Sequence, residues 1–250
     1  MNIYKLETIQ NTEKYVIEEL KAKFPDINIV SNIAGEVEFE TNIEDIDEFR
    51  SLLSPLRIQA ENGIIRNLFR REWRKEFIPA GINPSLAFIL CKIADIKEND
   101  VVLDPFCGGG TIPISAMLYF NPARILASDI SGKAIDITQA NIATANIQKS
   151  RYGAFRSDVK ALKLPNDYID KIITNLPFGI RVGKHDNNEK IYYDFANKAK
   201  KILKKDGTIV VLTQEKNLML QNFNEFRLIE HFMIRQGGLT PWVFVYKKGK

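Results

Sequence analysis

The apolar positions between Ile3 and Glu40 change period twice. Ile3 to Ile9 alternates as a strand does. Thr12 stands as an N-cap ahead of Tyr15 and Val16, and apolar residues then recur at helical spacing to Phe24. Ile27 to Ile33 and Glu36 to Glu40 alternate again around Ala34-Gly35, with Val37 and Phe39 set between Glu36, Glu38 and Glu40 as on a half-buried hairpin strand. A further helix is predicted over Ile43 to Leu53, stopped by Pro55. Residues 1–60 therefore read as a small α+β unit.

A connector, 61–80, follows with "NGIIRNLFRREWRKEF". Ile65, Phe69, Trp73 and Phe77 recur every fourth residue, and Arg66, Arg70 and Arg74 follow one position behind. If helical, this segment docks one face and shows a cationic one, either an ordinary solvated surface or a phosphate contact through Arg70 and Arg74. Beyond Pro84 strands and helices alternate strictly, the pattern of a parallel sheet covered on both faces, so 81–250 reads as one large α/β unit. Strands are expected at Val101–Leu103, Arg124–Ser128, Gly153–Arg156, Tyr168–Thr174, Thr208–Thr213, Arg227–Ile234 and Trp242–Tyr246. Helices are expected at Ser85–Ala94, Thr111–Tyr119, Lys133–Ala145, Ile191–Leu203 and Glu215–Phe223.

Composition narrows the class. An apolar content of 45% over 250 residues suffices for a real core. No apolar run approaches the roughly 20 residues of a membrane span, and MNIYKLETIQ lacks a signal-peptide core, so a cytoplasmic protein is expected. Cys91, Cys107, His185 and His231 have no zinc-site spacing, and no metal is expected. The first 60 residues carry 6 basic and 12 acidic side chains and the remainder 29 basic and 19 acidic, for a net charge of +4. Phosphate contacts, if any, belong to the later part of the chain.

The chemistry gathers at strand ends. In "VVLDPFCGGGTIPISA" Asp104 precedes a turn in which Gly108, Gly109 and Gly110 let a ligand approach the main chain, with Thr111 expected to cap the next helix. No Lys-Ser/Thr follows the glycines and no G-x-G-x-x-G is present, so neither a Walker loop nor the dinucleotide fingerprint fits. An acid ahead of the turn suits a cationic or hydroxyl-rich ligand better than a pyrophosphate. Asp129 in "ASDIS" stands where an acid reaches ribose hydroxyls. Asp158 in "FRSDVKAL" is placed to accept from an adenine amino group, with Val159 against the ring. Each alone is equally a capping aspartate; together they line one crevice at the carboxyl ends of successive strands.

The order DPFCGGGT, ASDIS, RSDV, NLPF resembles a class I S-adenosylmethionine-dependent N-methyltransferase. "LDPFCGGGTIPISA" with "TNLPFGIRVG" is similar more narrowly to the THUMP-associated guanine-N2 methyltransferases of tRNA, over roughly Phe77 to Tyr246. The resemblance implies a Rossmann-like seven-stranded sheet with its last strand antiparallel, preceded by a small ferredoxin-like domain. It also implies S-adenosyl-L-methionine held around Asp104, Phe106, Cys107, Gly108, Gly110, Thr111, Asp129, Ile130, Asp158, Val159 and Asn175. "FIPAGINPSLA" is similar to the stretch that closes over the methionine end, which adds Asn83 and Ser85 as cofactor candidates.

The last motif has a physical role of its own. An exocyclic aromatic amine has its lone pair delocalised into the ring, and two acceptors on its hydrogens favour the pyramidal geometry that attack requires. The Asn175 side-chain oxygen and the Leu176 carbonyl are those acceptors, Pro177 fixes the turn, Phe178 offers a stacking face, and Gly179 leaves room. Arg181 stands at the pocket mouth as a substrate contact or a plain surface cation. His185 reads as a solvated loop histidine rather than a base. The family's THUMP domain has no room in the roughly 80 residues before the core, so RNA docking is expected from the connector arginines, from the Lys198/Lys200/Lys201/Lys204/Lys205 face, or from a partner protein. Transfer to guanine N2 of tRNA is the expected reaction. rRNA guanine-N2, adenine-N6 and protein glutamine methylation are the alternatives.

Overall fold

The computed structural model describes residues 1–78, 81–177, 185–235 and 237–249, with backbone alone at 185–187. The first unit contains β1 (Asn2–Glu7), α1 (Glu13–Lys23), β2 (Asn28–Ile33), β3 (Glu36–Thr41), a 3-10 segment at Ile46–Ser51, β4 (Arg57–Ala60) and β5 (Ile65–Asn67). Its antiparallel sheet has the order β2-β3-β1-β4-β5. Without β5 this is the ferredoxin-like order, the 3-10 segment standing in for the second helix. Leu6, Val16, Val37, Phe39, Phe49 and Ile58 form its core.

The helix expected over Ile43–Leu53 is cut short at both ends. Asp45 takes the Asp47 N–H at 2.9 Å. The buried Glu19 carboxylate takes the N–H groups of Leu53 and Ser54 at 2.9 and 2.8 Å, which draws the chain out of helical geometry before Pro55. Thr12 holds the N-cap position of α1, but its hydroxyl donates to the Ile9 carbonyl at 2.6 Å instead of capping the helix.

The connector is not a helix. Its first part is β5, reached through an Asn62-Gly63 turn with Gly63 at φ +83°, so the first sheet extends past residue 60 to Asn67. The arginines diverge rather than forming one cationic face. Arg66 binds Asp47 at 2.6 Å, Arg71 donates to the Leu53 and Leu68 carbonyls, and Arg74 lies over the Phe77 ring at 5.0 Å. Trp73 is buried against Ile114 and Ile142 and anchors the strap that follows.

The second unit comprises α2 (Pro84–Ile93), β6 (Val101–Asp104), α3 (Thr111–Phe120), β7 (Arg124–Asp129), α4 (Gly132–Thr144), β8 (Tyr152–Arg156), β9 (Ile169–Asn175), α5 (His185–Ile202), β10 (Leu203–Thr213), α6 (Lys216–Asn222), β11 (Phe226–Met233) and β12 (Trp242–Lys248). The seven-stranded sheet runs β11-β12-β10-β9-β6-β7-β8, and β12 is antiparallel to both its neighbours. Central strands feed two cores alternately: Ile209 and Val211 face α5 and α6, while Val210 and Leu212 face α2 and α3. Ile9 joins the second core, Ser85 Oγ donates to the Pro55 carbonyl at 2.9 Å, and Asn11 Nδ2 to that of Met233 at 2.7 Å, so the two units are directly packed.

Candidate active site

Strands β6, β7, β8 and β9 end side by side, and the residues just past each end line one cavity of about 560 Å³. In open parallel sheets this edge holds the ligand. Asp104, Phe106, Cys107, Gly108, Thr111, Asp129, Ile130, Asp158, Val159, Asn175, Leu176 and Pro177 all reach its wall. Ile112, Ser157 and Ile191 also line it without a signal in the sequence, Pro105 lines it within the glycine-turn motif, and in "FIPAGINPSLA" the lining residues are Ile78, Gly81 and Ile82 rather than Asn83 and Ser85. Phe178, Gly179 and Arg181 lie outside the described residues, as does the side chain of His185.

The glycine turn has its shape for steric reasons. Gly108 and Gly110 adopt φ +53° and +81°, and a Cβ on Gly110 would meet Thr138 at 3.0 Å. Thr138 Oγ1 donates to the Gly108 carbonyl at 2.7 Å. Asn141 Nδ2 donates to that of Gly109 at 3.0 Å, while Asn141 Oδ1 accepts from Lys75 and Glu76 at 3.1 and 3.0 Å. One amide on α4 thus ties the strap to the turn, and Ile78 is laid over Gly108, its Cδ1 2.5 Å from where a Cβ would stand. The left-handed Gly110 is itself the N-cap of α3, so Thr111 does not cap the helix but is its first residue. Gly110→Ala should lower stability by about 1–2 kcal/mol from the left-handed backbone alone, more if Thr138 cannot shift. Urea melts test this, and an unchanged midpoint refutes the packing described.

The acids are held by the backbone they follow. Asp129 Oδ2 accepts from Gly108 N at 3.0 Å and Oδ1 from Ser131 N at 2.9 Å, while Asp158 Oδ1 accepts from Lys160 N at 3.0 Å. Asp104 is buried. Its Oδ1 accepts from Thr174 Oγ1 at 2.6 Å and Phe106 N at 3.1 Å. Burial pushes its carboxyl up to about 7, with a smaller contribution from the charge of Asp129, against the opposing effect of those two hydrogen bonds. The Cys107 thiol is raised by burial and by both acids, which keeps it protonated and unsuited to nucleophilic work.

Thr174 links Asp104 to the next residue, Asn175. The Asn175 Oδ1 atom is buried and has no hydrogen-bond partner among the described residues. Leu176 N donates to the Leu212 carbonyl at 3.0 Å, so this main chain is held by β10. A buried amide oxygen without a partner costs about 1–3 kcal/mol, and such a group in a cavity wall fits a donor brought by a ligand.

Several expected contacts do not hold. Asn83 caps α2, its Oδ1 accepting from Ser85 N at 2.8 Å, and Ser85 is spent on Pro55; neither lines the cavity. Gly110, Arg70 and the half-buried Arg74 do not line it either, although Arg74 Nη2 stands 2.9 Å from where a Cβ on the wall residue Gly81 would lie. The lysine face is largely committed to the fold: Lys198 binds the Leu162 carbonyl at 2.8 Å, Lys200 binds Glu225, and Lys204 binds Asp170 at 2.8 Å.

This sheet order with a glycine turn and strand-end acids defines a class I methyltransferase fold. The TrmN structure from Thermus thermophilus shares it, with a TM-score of 0.87 at 20% identity over 99% of this chain and 100% of that one. The family model described as UPF0020, RMKL-like, methyltransferase domain matches residues 71–240, and the chain belongs to that family. A tRNA (guanine(6)-N2)-methyltransferase of Thermus thermophilus is 28% identical over 180 residues, covering 71% of this chain and 53% of the relative. The enzyme of the same name from Archaeoglobus fulgidus is 26% identical over 203 residues, covering 72% and 52%. The chain spans about half the length of these two curated relatives.

Proposed function

We propose that the chain transfers a methyl group from S-adenosyl-L-methionine to the exocyclic N2 amine of a guanine in tRNA, in the cytoplasm. The observation that carries the reading is the buried Asn175 Oδ1, without a partner among the described residues, in the wall of a cavity whose other strand ends present Asp104, Asp129 and Asp158. The two relatives' names favour guanine N2 of tRNA over other amines. No helix among the described residues is long and apolar enough to cross a membrane.

The donor set fits the cofactor chemically. Asp104 would hold the α-ammonium, Asp129 the ribose hydroxyls, and Asp158 with Val159 the adenine, while the apolar wall of Ile78, Phe106 and Ile130 would suit the rest. The cofactor supplies a methyl group on a sulfonium, an electrophile needing no metal. Asn175 Oδ1 and the Leu176 carbonyl accept the two amine hydrogens and turn the nitrogen lone pair out of conjugation. With the cofactor bound, these two acceptors would stabilise the positive charge that grows on the nitrogen as it takes the methyl group from sulfur, and the proton would leave afterwards to water. Pro177 offers no competing N–H, and Phe178 is assigned the stacking face from its place in the sequence alone. In the same reading the first unit runs to about Leu68, a strap follows to about residue 80, and 81–250 carry the reaction.

Incubation with labelled S-adenosylmethionine and total RNA from a matching null strain, followed by nucleoside mass spectrometry, should give N2-methylguanosine in the tRNA fraction. Label found only in adenosine, in rRNA or in protein would overturn the assignment.

A further inference from the structure

The carboxyl edge of the large sheet continues past the cavity into strands the reaction does not use. Asn175 on β9 is in register with Leu212 on β10. The next β10 residue, Thr213, pairs with Trp242 on β12, and Trp242 pairs with Met233 on β11. With strands about 4.8 Å apart, Trp242 stands about 10 Å along the edge from Asn175. It also faces the same side of the sheet as the cavity wall, since Trp242, Phe106 and Leu176 all pack on the core beneath α5.

Here the residue types change character. The Lys216 ammonium lies 4.0 Å from the centre of the Trp242 ring and, among the described residues, makes no ion pair. The His231 ring, on an exposed residue, lies 5.5 Å from Trp242 and 5.4 Å from Phe244. Met233, 40% exposed, completes the row. Lys198 and Lys200 on α5 and Lys204 on β10 are held by carbonyls or carboxylates, whereas Lys216 rests on an aromatic face. Rings interleaved with an unpaired cation are the composition of a surface that takes single-stranded nucleic acid, with bases on the rings and phosphate on the ammonium.

We propose that Lys216, His231 and Trp242 form a docking platform for the RNA strand beside the target base, holding the flanking nucleotide while the amine enters at Asn175. The proposal rests on the RNA reading above. The platform lies on the unit that carries the cavity, so it measures the approach of the strand rather than the shape of a distant RNA element.

The test uses the full chain with Lys216→Gln, His231→Ser and the double variant Lys216→Gln/Trp242→Leu. tRNA binding is followed by fluorescence anisotropy at two salt concentrations, and cofactor binding by calorimetry. The double variant should lose roughly tenfold to a hundredfold in RNA affinity, with a shallower salt dependence and unchanged cofactor affinity. His231→Ser keeps Trp242 and the fold intact and should show a smaller loss in the same direction. A wild-type chain that binds RNA while the variants bind equally overturns the platform alone. One that takes up cofactor and binds no RNA overturns the platform and the RNA reading together. Variants that bind RNA normally but no longer methylate a protein acceptor would assign the surface to a polypeptide and refute the proposal.

Discussion

Asn175→Ala should reduce methyl transfer by about 10²–10³-fold, the usual cost of removing one preorganised polar group from a transition state, while leaving cofactor affinity nearly unchanged. The stability readout makes the prediction sharper. In the folded chain Asn175 Oδ1 is buried and unpaired among the described residues, so its removal breaks no hydrogen bond there and relieves a desolvated group. Melting temperature should therefore hold or rise slightly as activity collapses. If Asn175 were only a turn residue closing β9, the opposite pattern would follow: a less stable protein of ordinary activity. Urea melts, calorimetry and single-turnover transfer on one preparation separate the two. Activity within tenfold of wild type would end the assigned role.

The seven strands of the large sheet were legible as runs of β-formers, and the central ones, β6, β7, β9 and β10, stood out most because they are largely buried and end on a polar residue. Asp104, Asp129 and Asn175, which close their strands, and Asp158, two residues past the end of β8, were legible because a ligand at this edge meets whatever ends or follows the strands. The connector was misread. Its four-residue apolar spacing mimics a helix, yet Ile65 belongs to a strand, Trp73 is buried between α3 and α4, and Phe77 is 64% exposed. Asn62-Gly63, a strong hairpin signal in plain view, outranks that spacing. Strand β10 starts at Leu203 rather than Thr208, because a register shift around Asp206, at φ +61°, and Gly207 lets the chain leave α5 directly into the sheet. Other contacts had no local signal. Thr174 reads as one more β-former, and its bond to Asp104 spans 70 residues. Asn141 reads as a polar residue inside a helix, although it holds the strap over the glycine turn. Periodicity reports which face is buried; it carries no record of which distant polar group is waiting there.

Asp104→Asn should weaken cofactor binding by about ten- to a hundredfold, the worth of a hydrogen bond to a charged group, and should abolish the pH dependence of that binding. The carboxyl stands near 7 in the folded chain, raised by burial from the ordinary value of 3.8. Between those two values the folded chain keeps a proton that the unfolded chain releases. This group's contribution to stability is therefore fully present below about pH 4 and is lost as pH rises through about 7. The cofactor-free protein should melt at a lower temperature at pH 8 than at pH 5.5, and Asp104→Asn should flatten the difference. A bound ammonium reverses the preference, because it favours the charged carboxylate. Binding below pH 7 should thus release a proton, with affinity climbing toward pH 7 and levelling above it. Calorimetry in two buffers of different ionisation enthalpy counts that proton directly. An Asp104→Asn variant that retained the same pH slope would place the titrating group elsewhere. The bond from Thr174 gives the result a second consequence. Thr174→Val removes a donor that favours the ionised form, so the midpoint of the affinity profile should move to higher pH, with Asn175 next in the chain to register the change.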